Sequence, residues 1–131
     1  MKKAFTLLEM LVVIGIIAVL VAVGVASYTT AQKKARDAKR KTDLKAIQNS
    51  FEQYYSICGF IYPAPSSGSV PTTVTCASPA VTIMSAVPAD PKSAVRYTMT
   101  QVTTSDYSIC APNTPPLETE STTPYCLTNQ Q

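Results

Sequence analysis

An α+β fold is predicted, with one long N-terminal helix packed on a small C-terminal antiparallel β-sheet. Three observations carry that prediction. Residues 5–26 form an apolar run whose only strongly polar members are Thr6 and Glu9, which is enough to cross a hydrocarbon core as a helix. All ten prolines lie beyond Gly59, so nothing breaks a helix before Pro63. In residues 94–111, Tyr97, Met99 and Gln101 alternate with Arg96, Thr98 and Thr100, and Tyr107 and Ile109 alternate with Ser108 and Cys110; this is strand spacing.

Within the apolar run Glu9 stands alone. An unpaired carboxylate at membrane depth is costly and points to function by default. No basic residue lies inside the run. The nearest candidate partner is an α-amine made by cutting the chain before Phe5, four residues ahead of the carboxylate.

Past the run, small or apolar residues recur at Tyr28, Ala31, Ala35, Ala38 and Thr42, then at Leu44, Ile47, Phe51, Tyr54 and Cys58. Steps of three and four are helical. The second group is large enough to dock on a sheet, and the alanine stripe is narrow enough for close helix approach. Gly59 then supplies a stop just past Ile57–Cys58. A helix of about 53 residues would be about 80 Å long at about 1.5 Å per residue, which suits a polymer spine better than a globule.

The opening residues resemble the class III signal of type IV pilins and type II secretion pseudopilins. The resemblance rests on the basic leader Met1-Lys2-Lys3-Ala4, on Phe5-Thr6-Leu7-Leu8-Glu9, and on the 17 uncharged residues that follow. It implies a pilin-like fold divided as leader 1–4, membrane and filament-core helix 5–26, amphipathic helix 27–58 and disulfide-stapled head 59–131. It implies cleavage between Ala4 and Phe5 by a prepilin peptidase, methylation of the new amine, and pairing of Glu9 with the α-amine of a neighbouring subunit. The family usually carries glycine before the cut, where this chain has Ala4, so slower or peptidase-specific cleavage is expected. Two alternatives remain: a secretory signal cut near residues 24–27, which needs only about 7–15 apolar residues and no acid, and an anchor that is never processed.

The four cysteines, Cys58, Cys76, Cys110 and Cys126, all fall in the proline-bearing half. An even count in a small extracytoplasmic domain reads as two disulfides. Three pairings are possible; Cys58–Cys76 and Cys110–Cys126 are preferred because each closes a loose local loop. The second would also pin the tail, as pilins staple their C-terminal regions. With no histidine and no C-x-x-C pair, a zinc site is not expected.

Net charge is +3, and seven of the eleven Lys and Arg residues lie between Lys33 and Lys45. Such a cluster beside a membrane span would ordinarily stay in the cytoplasm, whereas the leader and the cysteines put it outside. It reads as the solvated face of an exposed helix, with anionic lipid headgroups or DNA phosphates as candidate partners. No interleaved aromatics support base stacking.

In the distal half, residues 60–79 read as turn and loop and residues 80–87 as a short strand or loop. Residues 94–102 and 105–111 read as a hairpin turning at Thr103–Thr104, and the tail 112–131 as loose unless Cys126 ties it down. Pro88-Ala89-Asp90-Pro91 resembles a turn of the major pseudopilins that precedes Trp-Gly and a calcium loop. Here Lys92-Ser93 follows and acids are few, so Asp90 is a calcium candidate only by that resemblance and a rigid turn is the expected role.

No nucleophile–base arrangement, phosphate loop or carboxylate pair marks an enzyme, and no cofactor is expected. The resemblance implies a structural subunit of a type IV pilus or pilus-like filament, a helical polymer of itself serving adhesion, motility or DNA uptake. It is stored in the membrane with its N-terminus cytoplasmic and extracted by an inner-membrane assembly platform. The alternatives are a pseudopilin of a type II secretion system and, from a different class, a membrane-tethered binding module.

Overall fold

A computed structural model of the chain describes residues 4–101, 103–111, 117–119 and 124–130; of Ala26 only the backbone is described. It has the predicted α+β architecture. Helix α1 (Leu7–Ile57) runs unbroken for 51 residues, through both Gly15 and Gly24. At about 1.5 Å per residue it is about 75 Å long. Its first half is bare of other protein and its second half carries the head.

The head holds two small antiparallel sheets. β1 (Val74–Cys76) pairs with β2 (Val81–Met84), with a bulge between Val74 and Thr75. β3 (Thr98–Thr100), β4 (Ser108–Cys110) and β5 (Cys126–Thr128) form the other sheet in that order, with Met99 opposite Ile109 and Ile109 opposite Leu127. Alternation within these strands turns Met99 and Ile109 inward, and Tyr97 and Tyr107 just ahead of them are buried too.

The core lies between the helix and the sheets. Leu44, Ile47 and Phe51 of α1 have no exposed surface and meet Val70, Val74, Tyr97, Tyr107 and Ile109. Aromatic edges tighten one end: Phe51 and Tyr62 each meet Tyr107 edge-on, at 5.1 and 4.6 Å between ring centres. The helix stops where expected. The Cys58 amide donates to Tyr54, the chain turns left-handed at Gly59 (φ 81°), and the Phe60 amide donates to Tyr55.

Two readings need correction. Residues 60–79 are not all loop, because β1 lies within them; its Val74 and Cys76 face inward around an exposed Thr75. The hairpin is shorter than the alternation suggested, with paired strands of three residues each and a turn closed by Asp106, whose side chain accepts from the Thr103 amide. Val102 lies outside the described residues. The tail meets its stated condition: Cys126 is bonded to Cys110, and residues 126–128 form the edge strand β5, whose Thr128 carbonyl accepts from Gln48 of α1; residues 112–116, 120–123 and 131 lie outside the described residues.

Candidate functional site

At the start of α1, Thr6 is the N-cap. Its hydroxyl accepts from the Glu9 amide at 3.2 Å, while Glu9 Oε2 accepts from the Thr6 amide and the Thr6 hydroxyl, each at 2.9 Å. This reciprocal closure is a capping box. The acid that looked unpartnered in the sequence therefore serves the helix N-terminus, where a negative charge is favoured. Its Oε1 makes no hydrogen bond among the described residues. Ala4 and Phe5 precede the helix in exposed, non-helical chain, and Phe5 is 77% exposed. From Leu7 to Val25 every large side chain is exposed, including Leu8, Leu11, Ile14, Ile17 and Leu20. A row of large apolar side chains without cover is a surface awaiting lipid or other helices. Among the described residues α1 is the helix long and apolar enough to cross a membrane.

Further along, the head-facing stripe of α1 does not stay apolar. Stepping back from Phe51 through Ile47 and Leu44 by threes and fours lands on Arg40 and Asp37, both buried. Arg40 is 1% exposed; its guanidinium donates to Asp90, to Asp37 at 2.8 Å and, at 3.5 Å, to Glu118. Arg36 holds Glu118 with two nitrogens. Asp37 also accepts from the amides of Glu118 and Thr119 at 2.9 and 2.8 Å and from the Thr119 hydroxyl at 2.7 Å. Thus 117–119 is clamped to the helix. Lys39 pairs with Asp43 at 2.7 Å, and the other Asp43 oxygen accepts from the buried Tyr97 hydroxyl.

This overturns the reading of the basic run as a uniformly solvated face. Arg36, Lys39 and Arg40 face carboxylates of the folded protein, and Lys41 lies over the Tyr125 ring. The sequence placed the cations correctly but did not show that Asp90 and Glu118, 50 and 78 residues away from Arg40, return to them.

The calcium candidate Asp90 has both oxygens engaged. One meets Arg40; the other accepts from the Lys92 and Ser93 amides and the Ser93 hydroxyl, at 2.9, 2.9 and 3.0 Å. It caps a turn and anchors a buried guanidinium. No group of three or more potential metal-ligating side chains occurs among the described residues.

The titrations follow from these contacts. Burial alone would raise the Asp90 carboxyl, but Arg40 and the Ser93 and Lys92 donors hold it far below the ordinary range. Asp37 behaves alike: burial opposes, and Thr119, the Glu118 amide and Arg40 prevail. Arg36 above all holds Glu118 down to about 2. Tyr62, Tyr97 and Tyr107 are pushed up, first by burial and then by Glu52 or Asp43 beside their hydroxyls.

Two disulfides, Cys58–Cys76 and Cys110–Cys126, tie the helix end to β1 and β4 to β5.

A capped, uncovered apolar helix bearing one acid, joined to a small disulfide-tied head, defines a pilin-like architecture. Residues 1–25 match the family described as the prokaryotic N-terminal methylation motif, which supports the class III signal that the opening residues resemble. No curated protein and no solved structure matches it.

Proposed function

We propose that this protein is a structural subunit of a type IV pilus or pilus-like filament, held in the membrane until it is assembled. The observation that carries the reading is Glu9, a single acid on an uncovered apolar helix whose leading residues match the methylation motif. Residues 1–4 are the leader, removed between Ala4 and Phe5 by a prepilin peptidase. Residues 5–26 span the membrane and later form the filament core, 27–58 form the amphipathic stem, and 59–131 form the head.

Cleavage exposes an α-amine at Phe5. Glu9 Oε2 stays with Thr6, and Oε1 accepts the α-amine of a neighbouring subunit as the inner-membrane assembly platform extracts the helix. In a medium without water that contact sets the register between otherwise uniform apolar rods. The N-terminus faces the cytoplasm, and the head lies outside, where its disulfides persist.

A pseudopilin of a type II secretion system is the second reading, favoured by Pro88-Ala89-Asp90-Pro91, whose Asp90 caps a turn entering the sheet region. Mass spectrometry of the mature N-terminus tests the processing step: an N-methylated Phe5 is expected, and a chain starting at Met1 or Ser27 refutes it. Glu9→Ala subunits should be cleaved but absent from fibres sheared off the cells. Fibres of normal abundance from that variant would remove Glu9 from the mechanism.

A further inference from the structure

Among the described residues, two cations of the basic run stay outside the contacts of the head. Between Lys33 and Lys45, Arg36, Lys39 and Arg40 have carboxylate partners, Lys45 donates to Gln48 at 2.7 Å, and Lys41 lies over Tyr125. Lys33 and Lys34 are exposed and have no carboxylate partner among the described residues. No acidic residue lies between Glu9 and Asp37 to balance them. We infer that Lys33 and Lys34 bind the headgroups of anionic phospholipids in the leaflet on the head's side of the membrane.

Depth is the second argument. Residues 7–26 of α1 are about 30 Å long, matching a hydrocarbon core. Tyr28, 65% exposed, follows at the level where aromatic rings favour the interface. Lys33 and Lys34 come about 10–12 Å beyond Ala26 along a helix without a break. Side chains on a helix lean toward its N-terminus, so both lysine stems run back toward the bilayer and bring their ammonium groups to the phosphates. Arg36, the next cation, leans the same way, but Glu118 holds it.

The chemistry is that of a point charge on a flexible stem facing a negatively charged surface, and phosphatidylglycerol is the simplest probe. Such contacts contribute about fivefold per lysine, so about thirtyfold for the pair acting together. The inference rests on the membrane-anchored reading above.

The test reconstitutes the full chain in phosphatidylcholine nanodiscs carrying trace spin-labelled phosphatidylglycerol or spin-labelled phosphatidylcholine, and measures how strongly each lipid is immobilised at the protein. Wild type should favour phosphatidylglycerol by up to about thirtyfold. Lys33→Gln/Lys34→Gln should remove most of that preference, leaving what Lys2 and Lys3 contribute at the other face, and high salt should bring the ratio close to one. Lys39→Gln, which removes a cation already paired with Asp43, should leave the preference in place. Equal preference in wild type and the double variant overturns the inference while leaving the anchor intact. A chain that fails to enter the nanodiscs refutes the anchored reading itself, and this inference with it. A lysine-dependent gain in duplex DNA binding without lipid preference would also overturn it, by assigning the pair to nucleic acid.

Discussion

Replacing Arg40 by methionine should unfold the head well below the wild-type temperature. The guanidinium is 1% exposed and its two nearest carboxylates, Asp37 and Asp90, are 5% and 2% exposed at their side chains. Methionine fills much of the volume but leaves those acids without their cation. Removing one member of a buried pair costs about 3–5 kcal/mol. The lower end applies, because Asp37 keeps Thr119 and the Glu118 amide, Asp90 keeps the Lys92–Ser93 donors, and Glu118 keeps Arg36. A loss of about 3 kcal/mol corresponds to a fall in Tm of about 12–24 °C for a head of this size. Near-ultraviolet circular dichroism of the tyrosines, on the full chain in detergent micelles, reads the head rather than the helix. Acid gives a second check. Carboxyls held low in the fold contribute stability above about pH 4, where the unfolded chain ionises, and lose it as pH falls through their folded values. The gap between wild type and Arg40→Met should therefore narrow below about pH 4. A loss under about 1 kcal/mol, or a gap unchanged by acid, would refute the assignment of Arg40 as the charge partner of these acids.

Three other outcomes follow from the same structure. Because Tyr62, Tyr97 and Tyr107 are held protonated in the fold, the stability they contribute is complete below about pH 10 and declines above it; alkaline titration should show these hydroxyls ionising together with the loss of tyrosine dichroism. Replacing Cys110 and Cys126 by serine opens a loop of sequence separation 16, and thermal melts should record a loss of about 3 kcal/mol, the chain-entropy value for a loop of that size. Glu9→Ala should leave the melting of the head unchanged, since its bonds reach only Thr6; a lower Tm would show that its role is in folding rather than assembly.

The local rules located most elements. The helix was legible from residue 5 to Ile57 because proline is absent and apolar spacing persists, and the inward Tyr97, Met99, Tyr107 and Ile109 followed from alternation. The strand Val74–Cys76 was missed because three residues among prolines and threonines carry no local signal; Val74 is buried only because α1 and β2 come to it. The edge strand Cys126–Thr128 was missed for the same reason, its pairing being supplied by β4.

The capping box at Thr6 and Glu9 needs three residues of separation and could be read from spacing alone. The identity of the partners of Arg40 could not. Its position, one helical step before Leu44, was available as a signal that it faces inward, but a charge there is compatible with either solvent or core. Local sequence, then, determined where the chain is rod, where it is apolar and where the lone acid of the apolar run sits, since those depend on neighbours within a turn. Only the tertiary structure decided which cations are used up inside the protein and which stay available outside it. That depends on acids brought from 50 or more residues away, which no local period encodes.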